Sequence, residues 1–180
     1  MRLRRLESAP VCGHLLVDEA GCGEEFDSFW SQVRDGYGSC LQRDARFLQW
    51  RLFDAATHPL TLSALRDAQG RLKAWAVWGR QEYSRDVSAA VLRDVLCPAG
   101  DRETFGLLLS LLLRRWRRAG STWASLEVAM PWISDVFRSS GCEHVPSRGN
   151  RYHVHLASAV DPAVLGNWYR GALDGDYFDY

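Results

Sequence analysis

Hydrophobic and polar positions follow two periods along this chain, and the switches between them outline an α/β domain. Gly13-His-Leu-Leu-Val-Asp18 reads as a strand, after which Phe26, Phe29, Trp30 and Val33 recur at helical spacing. Glu24, Glu25 and Asp27 fall in the first turn of that helix, where the dipole favours carboxylates, and Gly36 and Gly38 end it. A second helix runs from Asp44 to Leu52, presents Phe47, Leu48, Trp50 and Leu52, and stops before His58-Pro59. From Leu60 the period becomes that of strands: Leu60 to Leu65, a turn at Asp67-Ala-Gln-Gly70, Leu72 to Arg80, then Val87 to Leu96. Pro98-Ala-Gly-Asp101 breaks the last of these. Asp101 is placed to cap a strongly apolar helix from Thr104 to Ala119. The remainder predicts a strand from Trp123 to Met130, a helix from Trp132 to Ser139, a short strand at Glu143 to Val145 and a strand from Arg151 to Leu156.

This order predicts one α/β domain over residues 1–180, with a mixed, mostly antiparallel central sheet flanked by helices. Residues 11–59 supply an N-terminal strand and helices, 60–156 the sheet core, and 157–180 a docked tail. The tail is expected to dock because five aromatic rings and three aspartates occupy Trp168 to Tyr180, a composition unlike that of flexible termini. Its rings plug the core, or Asp174 and Asp176 face a ligand.

Composition narrows the function classes. Hydrophobic residues make up 47% and the formal net charge is zero, an ordinary globular balance that offers no long-range attraction to nucleic acid or anionic lipid. Five cysteines, widely spaced and without a C-x-x-C pair, suit reduced thiols, and the basic start lacks the apolar stretch of a signal peptide, so a cytoplasmic protein is expected. The longest apolar run, Leu107 to Leu113, is far below the roughly 20 residues that span a bilayer. Lys73 is the only lysine. The arginines of Arg114-Arg-Trp-Arg-Arg118 are either a solvated, dipole-offsetting helix end or a phosphate-binding patch.

Several side chains carry candidate chemistry. His153 and His155 flank Val154, so both rings point to one face of a strand, as a hydrogen-bonded pair or with one of them as general base. No third ligand at recognisable spacing accompanies them, so no metal site is expected. Glu127 and Asp94 are carboxylates in otherwise apolar strands, and each needs a cation such as Arg93 or Arg51, or serves as a base with a raised pKa. Arg51 beside Trp50 is suited to stack and to hold a carboxylate or phosphate, or to clamp the aspartates of the tail.

The element order β-β-β-α-β-α-β-β behind N-terminal helices resembles the GNAT N-acetyltransferase fold. Two segments sharpen the resemblance. Arg43-Asp44-Ala-Arg-Phe47-Leu48-Gln-Trp50-Arg51-Leu-Phe53 is similar to the "RD..(F/Y)L.WR(Y/F)" segment in the second half of GNAT-like proteins of bacterial polysaccharide biosynthesis. Trp168-Tyr169 followed by Asp174-Gly-Asp176 resembles their "W(Y/F)…GD.D" ending, with Leu173 in place of the usual Gly. In that family the whole protein resembles a tandem of two GNAT-like halves, and this chain corresponds to the second.

The resemblance implies an acyltransferase that passes an acyl group from acetyl-CoA or another acyl-CoA to an amine of a sugar nucleotide or amino acid. Glu127, His153 or His155 would act as base, and Trp50, Arg51, Asp94, Trp168, Tyr169, Asp174 and Asp176 would bind the small-molecule substrate. The (R/Q)-x-x-G-x-(G/A) turn that holds the CoA diphosphate in GNAT proteins is absent from the junction Leu96-Cys-Pro-Ala-Gly-Asp-Arg-Glu-Thr-Phe-Gly106. Pro98 removes a donor there and Asp101 and Glu103 add negative charge. The alternative is a non-catalytic module that binds a substrate or a partner GNAT-like domain, or pairs as a homodimer.

Overall fold

The computed structural model describes residues 13–38, 40–54, 59–85, 87–128, 130–140 and Tyr169. The strands are β1 (Leu15–Glu19), β2 (Leu60–Arg66), β3 (Leu72–Ser84), β4 (Val87–Leu96) and β5 (Trp123–Leu126); the helices are α1 (Glu24–Val33), α2 (Ala45–Gln49), α3 (Arg102–Arg118) and α4 (Pro131–Ser139). The five described strands form one sheet in the order β1-β2-β3-β4-β5. The first four pair antiparallel, and α3 carries the chain over to β5, which lies parallel to β4. An α/β domain with a mixed, mostly antiparallel sheet results.

Most elements follow from the residues that start and stop them. The aromatic face of α1, Phe26, Phe29 and Trp30, is buried while its acidic first turn stays outside. Asp44 caps α2, its carboxylate accepting the Phe47 N–H at 2.8 Å. The helix expected to run on to Leu52 changes to a π-helical turn over Trp50–Asp54, and a 3-10 turn over Arg34–Tyr37 follows α1. Asp101 caps α3 as the sequence predicts, accepting from Thr104 N at 2.9 Å and from Thr104 Oγ1 at 2.7 Å. The long apolar face of α3 covers the sheet through Phe105, Leu108, Leu109, Leu112 and Trp116, with Trp116 edge-on to Trp78 of β3 at 5.6 Å. Pro at the first turn of α4 matches the helix start expected there, and Trp132 packs edge-on against Phe105 at 5.8 Å.

Two strands depart from the sequence reading. β5 ends at Leu126 rather than Met130, because its pairing with β4 stops at Leu92 opposite Leu126. β3 is longer than expected and reaches Ser84, carried by a hairpin ladder with β4. The strands predicted at 143–145 and 151–156 lie outside the described residues. Among the described residues no helix is long and apolar enough to cross a membrane.

Candidate functional site

The place where β4 and β5 part is the chemically distinctive region of the sheet. The register of β4 against β3 pairs Val77 with Asp94 and Trp78 with Leu92, which leaves Arg93 as an extra residue in β4. Such a bulge bends its strand and increases local twist. The ladder to β5 ends at the same point: Leu92 pairs with Leu126, and the Glu127 N–H makes a last bond of 2.9 Å to the Leu92 carbonyl. Beyond it the edge of β4 runs on through Asp94, Val95 and Leu96 with no β5 partner.

That edge is filled from within the chain. Asp94 is fully buried, and so is Arg43, whose Nε donates to Asp94 Oδ2 at 3.0 Å. A second donor of the same guanidinium, Nη1, bonds the Leu41 carbonyl at 2.9 Å. The Tyr169 ring, also fully buried, lies under the guanidinium with 4.4 Å between Cζ and the ring centroid. Its hydroxyl proton is shared between Asp94 Oδ1 and the Val95 carbonyl, and the oxygen accepts the Val95 N–H at 3.2 Å. Tyr37 completes the group. It meets Tyr169 edge-on at 5.0 Å, donates its hydroxyl to the Cys97 carbonyl at 2.6 Å and accepts the Cys97 N–H at 3.3 Å.

Burial sets the protonation of these groups. It pushes the Tyr169 phenol well above its ordinary range, the Asp94 charge adding and the Arg43 charge opposing. Tyr37 is raised for the same first reason, and burial pushes the Cys97 thiol up to about 12. All three are therefore neutral through the physiological range, and Tyr169 acts as a hydrogen-bond donor to a carboxylate. An arrangement of this kind holds two distant parts of the chain together; it leaves no member open to solvent for proton transfer.

The junction between β4 and α3 is equally occupied. The Asp101 carboxylate takes the Thr104 N–H, Glu103 sits in the same first turn, and Pro98 has no N–H to give. Gly36 of the 3-10 turn packs so closely here that a Cβ would meet the Ala99 side chain at 2.8 Å. At this helix start the Thr104 N–H is taken by the chain's own acid and the Arg102 N–H by the Gly100 carbonyl at 2.9 Å, and with the negative charge of Asp101 and Glu103 the residues present do not fit the diphosphate of an acyl-CoA.

The residues singled out in the sequence scatter. Asp94 and Tyr169, expected to face substrate, come together in the core instead, because Arg43 supplies the cation that the strand carboxylate needs. Glu127 stands at the parting of the strands with 39% of its side chain exposed and pairs with Arg93. Trp50 is 51% exposed, and the guanidinium of the half-buried Arg51 lies 5.7 Å from its ring. His153, His155, Trp168, Asp174 and Asp176 lie outside the described residues. Arg43, Tyr37 and Cys97 were missed by sequence reasoning. Arg43 had a legible signal, since it opens the Arg43-Asp44 segment immediately ahead of a helix cap, yet its burial shows only in three dimensions.

No protein-family model matches the sequence, and no curated protein matches it. Solved structures do. A protein described as a probable acetyltransferase is 16% identical, covers 80% of this chain and 99% of its own, and superposes with a TM-score of 0.55. A possible acetyltransferase from Clostridium difficile 630 is 11% identical over 79% of this chain and 99% of its own, TM-score 0.55. An integron cassette protein from the mobile metagenome of V. cholerae is 11% identical over 82% and 95%, TM-score 0.55. With its parallel β4–β5 pair opening beyond Leu92 and α3 between the two strands in sequence, the chain has the GNAT acetyltransferase fold.

Proposed function

We propose that this chain is an acyltransferase-type GNAT domain that works without a conventional acyl-CoA grip. It serves as a module that binds an acceptor substrate, or a partner GNAT domain that supplies the donor site, in polysaccharide biosynthesis. The observation that carries this reading is the occupied cleft: the peptide of Val95, at the edge of β4, is bonded on both its N–H and its C=O by Tyr169. An extended ligand entering beside β4 would have to pair with that peptide. The acid-capped start of α3 points the same way.

A second reading has its own support. Glu127 sits where β4 and β5 separate and keeps part of its carboxylate in solvent, the position of a base in an N-acyltransferase that uses acyl-CoA and an amine of a sugar nucleotide or amino acid. Calorimetric titration of the full chain with acetyl-CoA and longer acyl-CoAs separates the two. The module reading expects no saturable heat and no thermal shift at millimolar ligand. Saturable binding overturns it in favour of the acyl-CoA enzyme, for which Glu127→Gln then abolishes turnover of amine acceptors.

A further inference from the structure

The C-terminal end of α3 is crowded with cations. Arginines in a last turn ordinarily satisfy the free carbonyls and offset the dipole. Here three of those carbonyls are bonded by backbone N–H groups. Ala119 N–H reaches the Arg115 carbonyl at 2.9 Å, Gly120 N–H the Arg117 carbonyl at 3.1 Å, and Ser121 N–H the Trp116 carbonyl at 2.9 Å. Arg80, from β3, donates to the Ala119 carbonyl at 2.7 Å. Arg115 turns to the other side of the helix, where it pairs with Asp18 and bonds the Leu16 carbonyl.

Arg114, Arg117 and Arg118 are left over. Most described arginines, among them Arg66, Arg93 and Arg138, have a carboxylate partner, but among the described residues these three have none. Their spacing of three and four places them on one helix face. With Leu113 they line a cavity of about 210 Å³, and all three are exposed. A chain with zero net charge has therefore gathered, around one small concavity, three guanidinium groups with no carboxylate partner among the described residues.

We propose that this cavity binds the terminal phosphate of a small phosphorylated molecule. Guanidinium groups carry planar forks of donors that match phosphate oxygens in bidentate fashion, and three of them match the three terminal oxygens of a phosphomonoester dianion. The cavity is smaller than the roughly 300–1,000 Å³ of pockets that enclose whole ligands, so it takes the charged group and leaves the rest of the molecule outside. The absence of net positive charge disfavours a long polyanion, which needs a basic stripe rather than a single cluster. The site lies at the opposite end of α3 from the acid-capped junction and does not depend on what the β4–β5 cleft binds.

The test is calorimetry on the full chain at low ionic strength with inorganic phosphate, a hexose 1-phosphate and the uncharged hexose. Both phosphates are expected to bind saturably, with a dissociation constant on the order of 1 mM for inorganic phosphate, and the hexose to give no heat. Arg117→Ala should weaken binding about tenfold, and Arg117→Lys should keep the charge but recover only part of the loss, because the fork is gone. Arg114→Ala, Arg117→Ala and Arg118→Ala together should abolish it while circular dichroism and Tm stay as in the parent chain, since all three side chains are exposed. Tighter binding of the hexose 1-phosphate than of inorganic phosphate assigns an organic phosphomonoester; equal binding assigns free phosphate. No saturable heat with either phosphate, or unchanged affinity in the triple variant, overturns the proposal.

Discussion

Asp94 and Glu127 look alike in sequence, each a carboxylate set among apolar strand residues, and the fold gives them opposite fates. Asp94 has no exposed surface and is held by Arg43 and Tyr169; Glu127 keeps 39% of its side chain in water and is held by Arg93, the neighbour of Asp94. A single extra residue separates the cases. The bulge at Arg93 sends the arginine side chain toward β5 and the mouth of the cleft, and the next carboxylate into the core. The lesson is that the same Arg–carboxylate chemistry is a fixed structural joint when both partners are dry and a looser pair when the carboxylate reaches water, even with the Arg93 side chain only 13% exposed.

The comparison breaks first at the joint. Asp94→Ala strands the Arg43 charge in the core and should cost about 3–5 kcal/mol in chemical denaturation, whereas replacing both partners by apolar residues, Arg43→Met with Asp94→Leu, should recover most of that loss. If the double variant is as unstable as the sum of the two single ones, Asp94 and Arg43 do not act as a pair. Tyr169→Phe comes next. It keeps the ring under Arg43 but removes the hydroxyl donor to the Val95 carbonyl and Asp94 Oδ1, while the Val95 N–H keeps its bond of 2.8 Å to Asp94 Oδ1, for an expected loss of about 1–3 kcal/mol.

The buried neutral groups make the joint sensitive to alkali. The Cys97 thiol is raised from 9.0 to about 12 by burial, so the folded state holds its proton where the unfolded chain releases it. Its contribution is complete below pH about 9 and is lost as pH rises toward about 12, with Tyr169 and Tyr37 adding to the loss above about 10. Tm measured across that range should fall steadily, and Cys97→Ala should flatten the part nearest pH 9. A Tm that holds to pH 12 in the parent chain contradicts the burial of these groups.

The smallest effect belongs to the pair whose carboxylate reaches water. Glu127→Gln should change stability by no more than about 1 kcal/mol, and high salt should reduce even that difference. A loss as large as that of Asp94→Ala would erase the distinction between the two carboxylates.

Local signals accounted for most of the elements. The helical spacing of Phe26, Phe29, Trp30 and Val33, the caps Asp44 and Asp101, and the turn ending at Gly70 each specify their structure within a few residues. The site was less legible. Arg51 beside Trp50 invited attention as an aromatic–cationic pair, and it sits half-buried against the exposed Trp50 ring, whereas the arginine that pairs with the core carboxylate is Arg43 at the head of the same segment. Nothing in the local pattern distinguishes them, because which face of the segment turns inward is set by the sheet it packs on. Tyr169 shows the same limit from the other side: an aromatic tail residue was expected to dock, but not against a peptide 74 positions away in sequence.

By itself the sequence determined the elements, the alternation that makes one α/β sheet and the acid at the start of α3, since each depends on neighbours within a turn or a strand. Tertiary structure alone decided which carboxylate is buried, that Arg43 answers it, and that Tyr169 takes the edge of β4 at Val95. Those outcomes rest on a one-residue bulge and on contacts between residues 51 to 75 positions apart. Desolvation makes such contacts selective, because a buried charge must find its partner wherever in the chain that partner lies.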